Sequence, residues 1–250
     1  MTIPIHQKRV IWTLSIIAAV LVVLSVTANF LTYAAVDNPL PGKVSKNFER
    51  LFDLDAEANI PTWFQVALLL TCAILLAING TLHNRKYGRD ALYWAVLSLA
   101  FFYLSVDELA SIHDMANVPV KVALHTGGAL RFAWIIPAGI LTALFGVAYI
   151  KFLVNLPRRT AFLFVLAGAI YVGGAIGVEA IGGMYSAIHG ENFSYKLITT
   201  VEESAEMIGL ILFIYSNMDY FEANFGEVSF QLDAARPKSS AKGSRFRAVS

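Results

Sequence analysis

The sequence predicts an all-α membrane protein, a bundle of six transmembrane helices. Three observations lead there. The chain is 57% hydrophobic and only 15% charged, with a mean hydropathy of +0.60, whereas a soluble domain carries roughly 25% charged residues. Uninterrupted apolar runs of about 20 residues, the length that crosses roughly 30 Å of hydrocarbon as helix, recur along the chain. Lys and Arg are spread unevenly over the segments between those runs.

The runs cover approximately 10–36, 61–82, 91–113, 132–153, 160–186 and 197–218. The first follows HQKR but exceeds the h-region of a signal peptide, so it reads as a retained anchor. Loop one, DNPLPGKVSKNFERLFDLDAEANIPTW, contains Phe48, Leu51, Phe52 and Leu54, spaced for a short helix on the bilayer surface before Pro61 opens the second span. Loop three, MANVPVKVALHTGGALR, is expected to fold back over the bundle. The fifth run has Ala169, Gly173 and Gly177 every four residues. That stripe suits close helix packing, and Gly173 to Gly183 alternatively reads as a locally unwound segment lining a cavity. Residues 1–221 then form one membrane domain, and 222–250 a disordered basic tail.

Positive charge accumulates on the cytoplasmic side of short connections. With the N-terminus inside, thirteen Lys and Arg fall on inner segments and six on outer ones, which favours both termini in the cytoplasm. A net charge near +1 leaves no basic face for nucleic acid. The expected partners are the lipid bilayer and a homo-oligomer or membrane complex. Cys72 is the single cysteine, which excludes an internal disulfide and a CxxC pair.

The chemistry concentrates in acids. On one continuous helix at about 100° per residue, Asp107, Glu108, Ser111 and Asp114 share an arc of about 120°, and His113 points away from it. Glu202, Glu203 and Glu206 share an arc of about 100° near the start of the sixth run, and Glu179 lies two-thirds along the fifth. All three sets fall in the outer third of the membrane. A carboxylate buried there needs a proton, a cationic partner or a metal ion. The basic candidates nearby are Arg131, Lys121, Lys196, His113, His125 and His189, most of them expected in surface loops.

These residues point to an outward-facing pocket in which Asp107, Glu108, His113, Glu179, Glu202, Glu203 and Glu206 bind a divalent metal, with Glu179 and His113 as proton carriers. Such donors suit Mn, Fe, Ca or Mg. Three uses remain open: a metal-dependent membrane enzyme, a cation- or proton-coupled transporter, and an accessory subunit. Asp53, Asp55, Glu57 and Asn59 in DLDAEAN resemble part of a calcium loop, but its glycine and distal glutamate are missing, and an acidic helix N-terminus accounts for them equally. No mid-span histidine pair suggests haem, and no nucleotide fingerprint is present.

The stretches RLFDLDAEANIPTWF, YLSVDELASIHD and VEESAEMIGLILFIY resemble a group of bacterial multi-pass membrane proteins known mainly as hypothetical. The resemblance runs from Phe48 to Tyr215 and implies a bacterial inner-membrane location. It carries no activity and no functional residue across.

Overall fold

The computed structural model describes residues 2–4, 6–34, 42–226 and 229–231. The chain is built from helices, with one short antiparallel pairing of Thr2–Pro4 and Ser229–Gln231. Much of loop one's first half and the expected tail from 232 onward lie outside the described residues.

Helix α1, Gln7–Asn29, continues into a π-helical turn, Phe30–Ala34. The expected loop-one helix is α2, Gly42–Phe52. Helix α3, Ile60–Tyr87, starts at a reciprocal cap: Asn59 accepts from the Thr62 amide, and the Thr62 side chain accepts from the Asn59 amide. Helix α4 spans Ala91–Ala110 and α5 spans Ile112–Leu124. Helix α6, Ile135–Asn155, turns at Pro157 into α7, Arg158–Val172. A π-helical segment, Gly173–Val178, joins α7 to α8, Glu179–His189. Helix α9 covers Phe193–Phe225, about 50 Å of helix, and so runs past residue 221.

Among the described residues, five helical stretches are long and apolar enough to cross a membrane: Gln7–Tyr33, Ile60–Tyr87, Ala91–Ala110, Ile135–Asn155 and Arg158–His189. Helix α9, which contains the sixth expected run, is not among them, because acids punctuate its apolar residues. It is nevertheless the centre of the bundle, packed against α1, α3, α7 and α8. The surrounding helices turn large apolar side chains outward, as at Trp12, Leu92 and Val154. That polarity suits a lipid-facing surface.

Helices α3 and α9 run parallel and meet through a repeat invisible in either helix alone. The Gln65 amide donates to Glu203, the Cys72 thiol to the Leu210 carbonyl, the Asn79 amide to Asn217, and the Lys86 ammonium to the Asn224 carbonyl. Each contact joins residues 138 positions apart, and the seven-residue step on both helices is that of a coiled-coil seam. Between these polar rungs the seam is sealed by Leu68, Leu69, Leu76, Met207, Leu210 and Ile214.

The small-residue stripe expected at Ala169, Gly173 and Gly177 faces outward, and a Cβ added at Gly173 or Gly177 would meet nothing. The close approach between α7 and α9 is made one register away. A Cβ on Gly209 would lie 2.8 Å from the Tyr171 amide nitrogen, and one on Gly174 would lie 2.9 Å from the Glu202 carbonyl. The segment expected to unwind is instead widened into π-helix over Gly173–Val178, a feature often found beside functional residues.

Candidate functional site

At one end of the bundle two acidic groups form side by side. The first belongs to loop one. Asp53 and Asp55 each hold the Lys196 ammonium at 2.7 Å, and Asn29 donates to Asp53 at 2.9 Å. Asn59 donates to the Asp53 carbonyl, and Ser25 accepts from the Leu54 amide. DLDAEAN is therefore a lysine clasp that ties loop one to α1 and α9. Burial raises the Asp55 carboxyl above its ordinary value, against the opposing pull of Lys196. Lys196, expected at the surface, is buried at 9% exposure.

The second group gathers the acids of α4, α8 and α9. The sequence reading of a continuous helix through residue 113 is corrected here. Ser111 adopts a left-handed conformation, φ 53° and ψ 40°, which ends α4 and starts α5 in a new direction. His113 consequently turns toward the acids instead of away from them. Its Nδ1 lies 3.0 Å from Asp107, and its Nε2 lies 3.8 Å from Glu57 and 4.0 Å from Asp114. Burial alone would lower the imidazole. The hydrogen bond to Asp107, with the charges of Asp107, Asp114 and Glu57, outweighs it and pushes His113 up to about 9. Burial raises Glu57 as well, against the lowering effect of His113.

Trp134 carries the group onward. Its ring lies 4.8 Å from that of His113, its Nε1 donates to Glu179 at 3.2 Å, and its backbone amide donates to Asn117 on α5. Glu179, the first residue after the π-helical segment, also makes a side-chain contact with Glu202. Two carboxyls attract each other only when they share a proton or a cation. Gln65 donates to Glu206 at 3.0 Å and to Glu203 at 3.3 Å, and it contacts Glu108 from the other side. Tyr171 reaches Glu206 from α7.

All seven residues singled out in the sequence thus lie in one connected network, Asp107, Glu108 and His113 from α4 and α5, Glu179 from α8, and Glu202, Glu203 and Glu206 from α9. Glu202 and Glu206 are buried. Two carboxylate oxygens, Glu202 Oε2 and Asp107 Oδ1, are buried with no hydrogen-bond donor among the described residues. Two of the basic residues expected nearby are engaged elsewhere: Lys196 in the clasp, and Arg131 with Glu191 at 3.4 Å. Among the described residues the basic group in contact with the network is His113.

Glu57, Gln65, Trp134 and Tyr171 were missed as members. Gln65 carried a signal, a lone amide early in an apolar run. Glu57, His113 and Asp114 present donor atoms within 4.8 Å of one another, a spacing that could hold a metal ion.

These features define a polytopic helical protein of membrane-spanning composition with a carboxylate-rich centre at one end. The chain belongs to the family described as a domain of unknown function, DUF8692, whose model matches residues 14–219. That range includes every residue of the network. No curated protein and no solved structure matches the chain.

Proposed function

We propose that this protein is a six-span protein of the bacterial inner membrane, both termini cytoplasmic, whose outer-end carboxylates bind a divalent cation. The sixth span is α9, held in the membrane by the helices around it. One observation carries the cation reading: among the described residues, Glu202 Oε2 and Asp107 Oδ1 are buried without donors, in a network of acids whose basic contact is the His113 imidazole. Leaving buried carboxylate oxygens unmet costs several kcal/mol, and a cation satisfies several at once. The oxygen-rich set favours Mn, Fe, Ca or Mg over softer ions. Glu57, His113 and Asp114 form the entry side, and buried Glu202 and Glu206 with half-buried Glu179 and Glu203 the inner side.

Helix α5 sets the level of the entry. Met115, Val118 and Val122 lie on one face and are each 70% exposed, while His113, Asp114, Asn117 and Lys121 occupy the other. An amphipathic helix of this kind is suited to the headgroup layer, which supports a site within reach of a membrane-soluble substrate. If the protein is an enzyme, the metal would activate water or oxygen there.

A second reading is a cation- or proton-coupled transporter, favoured by the contact between Glu179 and Glu202, where one proton can be shared and released. Elemental analysis and Mn²⁺ titration of detergent-purified protein separate the two. Stoichiometric metal that is lost in Glu202→Gln/Glu206→Gln, with the fold retained, supports the metal site. Absence of bound metal and of Mn²⁺ binding in the wild type rejects it in favour of proton sharing.

A further inference from the structure

The opposite end of the α3–α9 seam contains a second cluster of ionisable groups, independent of the carboxylate network. His83, in the last turns of α3, is buried at 5% exposure. Its Nδ1 makes a short hydrogen bond with the Tyr220 hydroxyl of α9. Its Nε2 faces Asp90 in the α3–α4 turn at 3.6 Å, beyond hydrogen-bond length, and has no other partner among the described residues. The groups facing the imidazole are Asp90 and Arg89 from the turn, Tyr87 from α3, Trp94 from α4 and Tyr220 from α9.

A histidine kept only for packing would have both nitrogens satisfied, since a buried unpaired polar atom is destabilising. Here the incomplete contact is not isolated. Trp94 Nε1, Asn79 Oδ1 and Ser216 Oγ, from the three helices that meet here, are also buried without hydrogen-bond partners. Polar atoms in that state are where internal water binds. Access is provided by Asp90, 14% exposed, whose carboxylate also faces the surface guanidinium of Arg89 at 3.6 Å.

We infer that His83, Asp90 and Tyr220 form a proton-binding site at the end of the bundle opposite the carboxylates, in exchange with the adjacent aqueous phase through Asp90. In the neutral state the Tyr220 hydroxyl donates to Nδ1, and Nε2–H points at Asp90. One proton from water adds to Nδ1. The imidazolium then donates to the Tyr220 oxygen on one side and faces the Asp90 carboxylate on the other, so uptake reverses the Tyr220 hydrogen bond and leaves Nε2–H in place. The apolar layer around Cys72, Leu76 and Ile214 separates this proton from the carboxylates in the present conformation. Two ion-binding ends divided by a dry layer are what coupled exchange across a membrane requires.

The chain has five histidines, so the imidazole nitrogens can be followed by ¹⁵N NMR in lipid nanodiscs, with His83 assigned by its loss in His83→Gln. One His83 signal should titrate reversibly by a single proton between pH 5 and 9. Asp90→Asn should lower its proton affinity at least tenfold by removing the facing carboxylate, and Tyr220→Phe should change its Nδ1 shift. Unchanged signals from the other four histidines establish that each variant is folded. A His83 signal that stays fixed over this range, or titrates identically in both variants, overturns the inference.

Discussion

Buried Asp53 and half-buried Asp55 lie beside Lys196, whereas buried Glu202 and Glu206 and half-buried Glu179 and Glu203 have no lysine or arginine of their own among the described residues. Both groups come from acid-rich stretches that look alike on paper, DLDAEAN and VEESAE. In the first, one ammonium is shared at 2.7 Å by two carboxylates, and hydrogen bonds from α1 and the α3 cap complete the arrangement. In the second, glutamine, tyrosine and tryptophan supply neutral donors, and oxygens are left over. Matched charge serves as a fastening, whereas the unmatched carboxylates are the ones to which the proposed cation site is assigned.

The largest expected effect tests the fastening. Replacing Lys196 with Met leaves buried Asp53 and half-buried Asp55 without their cation, and removing one partner of a buried ion pair costs about 3–5 kcal/mol. Thermal unfolding in detergent should show that loss. Replacing Glu202 with Gln in the unmatched group should instead leave stability within about 1 kcal/mol or raise it, because an amide needs no counter-charge. Equal losses in the two variants would mean that both groups are structural, and the contrast between them would fail.

Next in size is the wall between α7 and α9. Gly209→Leu places a side chain where the Tyr171 backbone lies, and overpacking of this kind costs about 1–3 kcal/mol. If the proposed cation site exists, the displacement should also weaken Mn²⁺ binding, since Tyr171, which reaches Glu206, lies at that contact. Gly173→Leu, on the outward face, should do neither. Matched unfolding curves and Mn²⁺ titrations for the two variants check the assignment of the close contact to Gly209.

The same comparison shows why the sequence was informative about location and less so about partners. Apolar run length located the five helical stretches able to cross a membrane, and antiparallel counting put the acids of α4, α8 and α9 at one level. Neither says which cation reaches which acid. Lys196 comes from the first turn of α9 and meets carboxylates more than 140 positions earlier, a distance that periodicity cannot span. The α3–α9 seam escaped for a related reason: its rungs are Gln, Cys, Asn and Lys on α3 against Glu, Leu, Asn and Asn on α9, with no shared hydropathy to mark the seven-residue step. The glycine stripe was placed one register off because small residues occur on both faces of α7, and only the packed structure shows which face is occupied.

The smallest expected effect concerns the single residue that gives the unmatched group its imidazole. Helical spacing carried through residue 113 turns His113 away from Asp107, and the positive φ of Ser111 turns it back. A side chain in that conformation is mildly strained, so Ser111→Gly should keep the His113–Asp107 contact and stabilise the protein by a few tenths of a kcal/mol up to about 1 kcal/mol. Ser111→Val should oppose the turn, because a β-branched residue resists positive φ. The readout is the His113 imidazole shift alongside the unfolding temperature. If Val is tolerated as well as Gly, with the His113 shift unchanged, the turn does not depend on this residue, and the approach of His113 to the acids must be set by the packing of α5 and Trp134 instead.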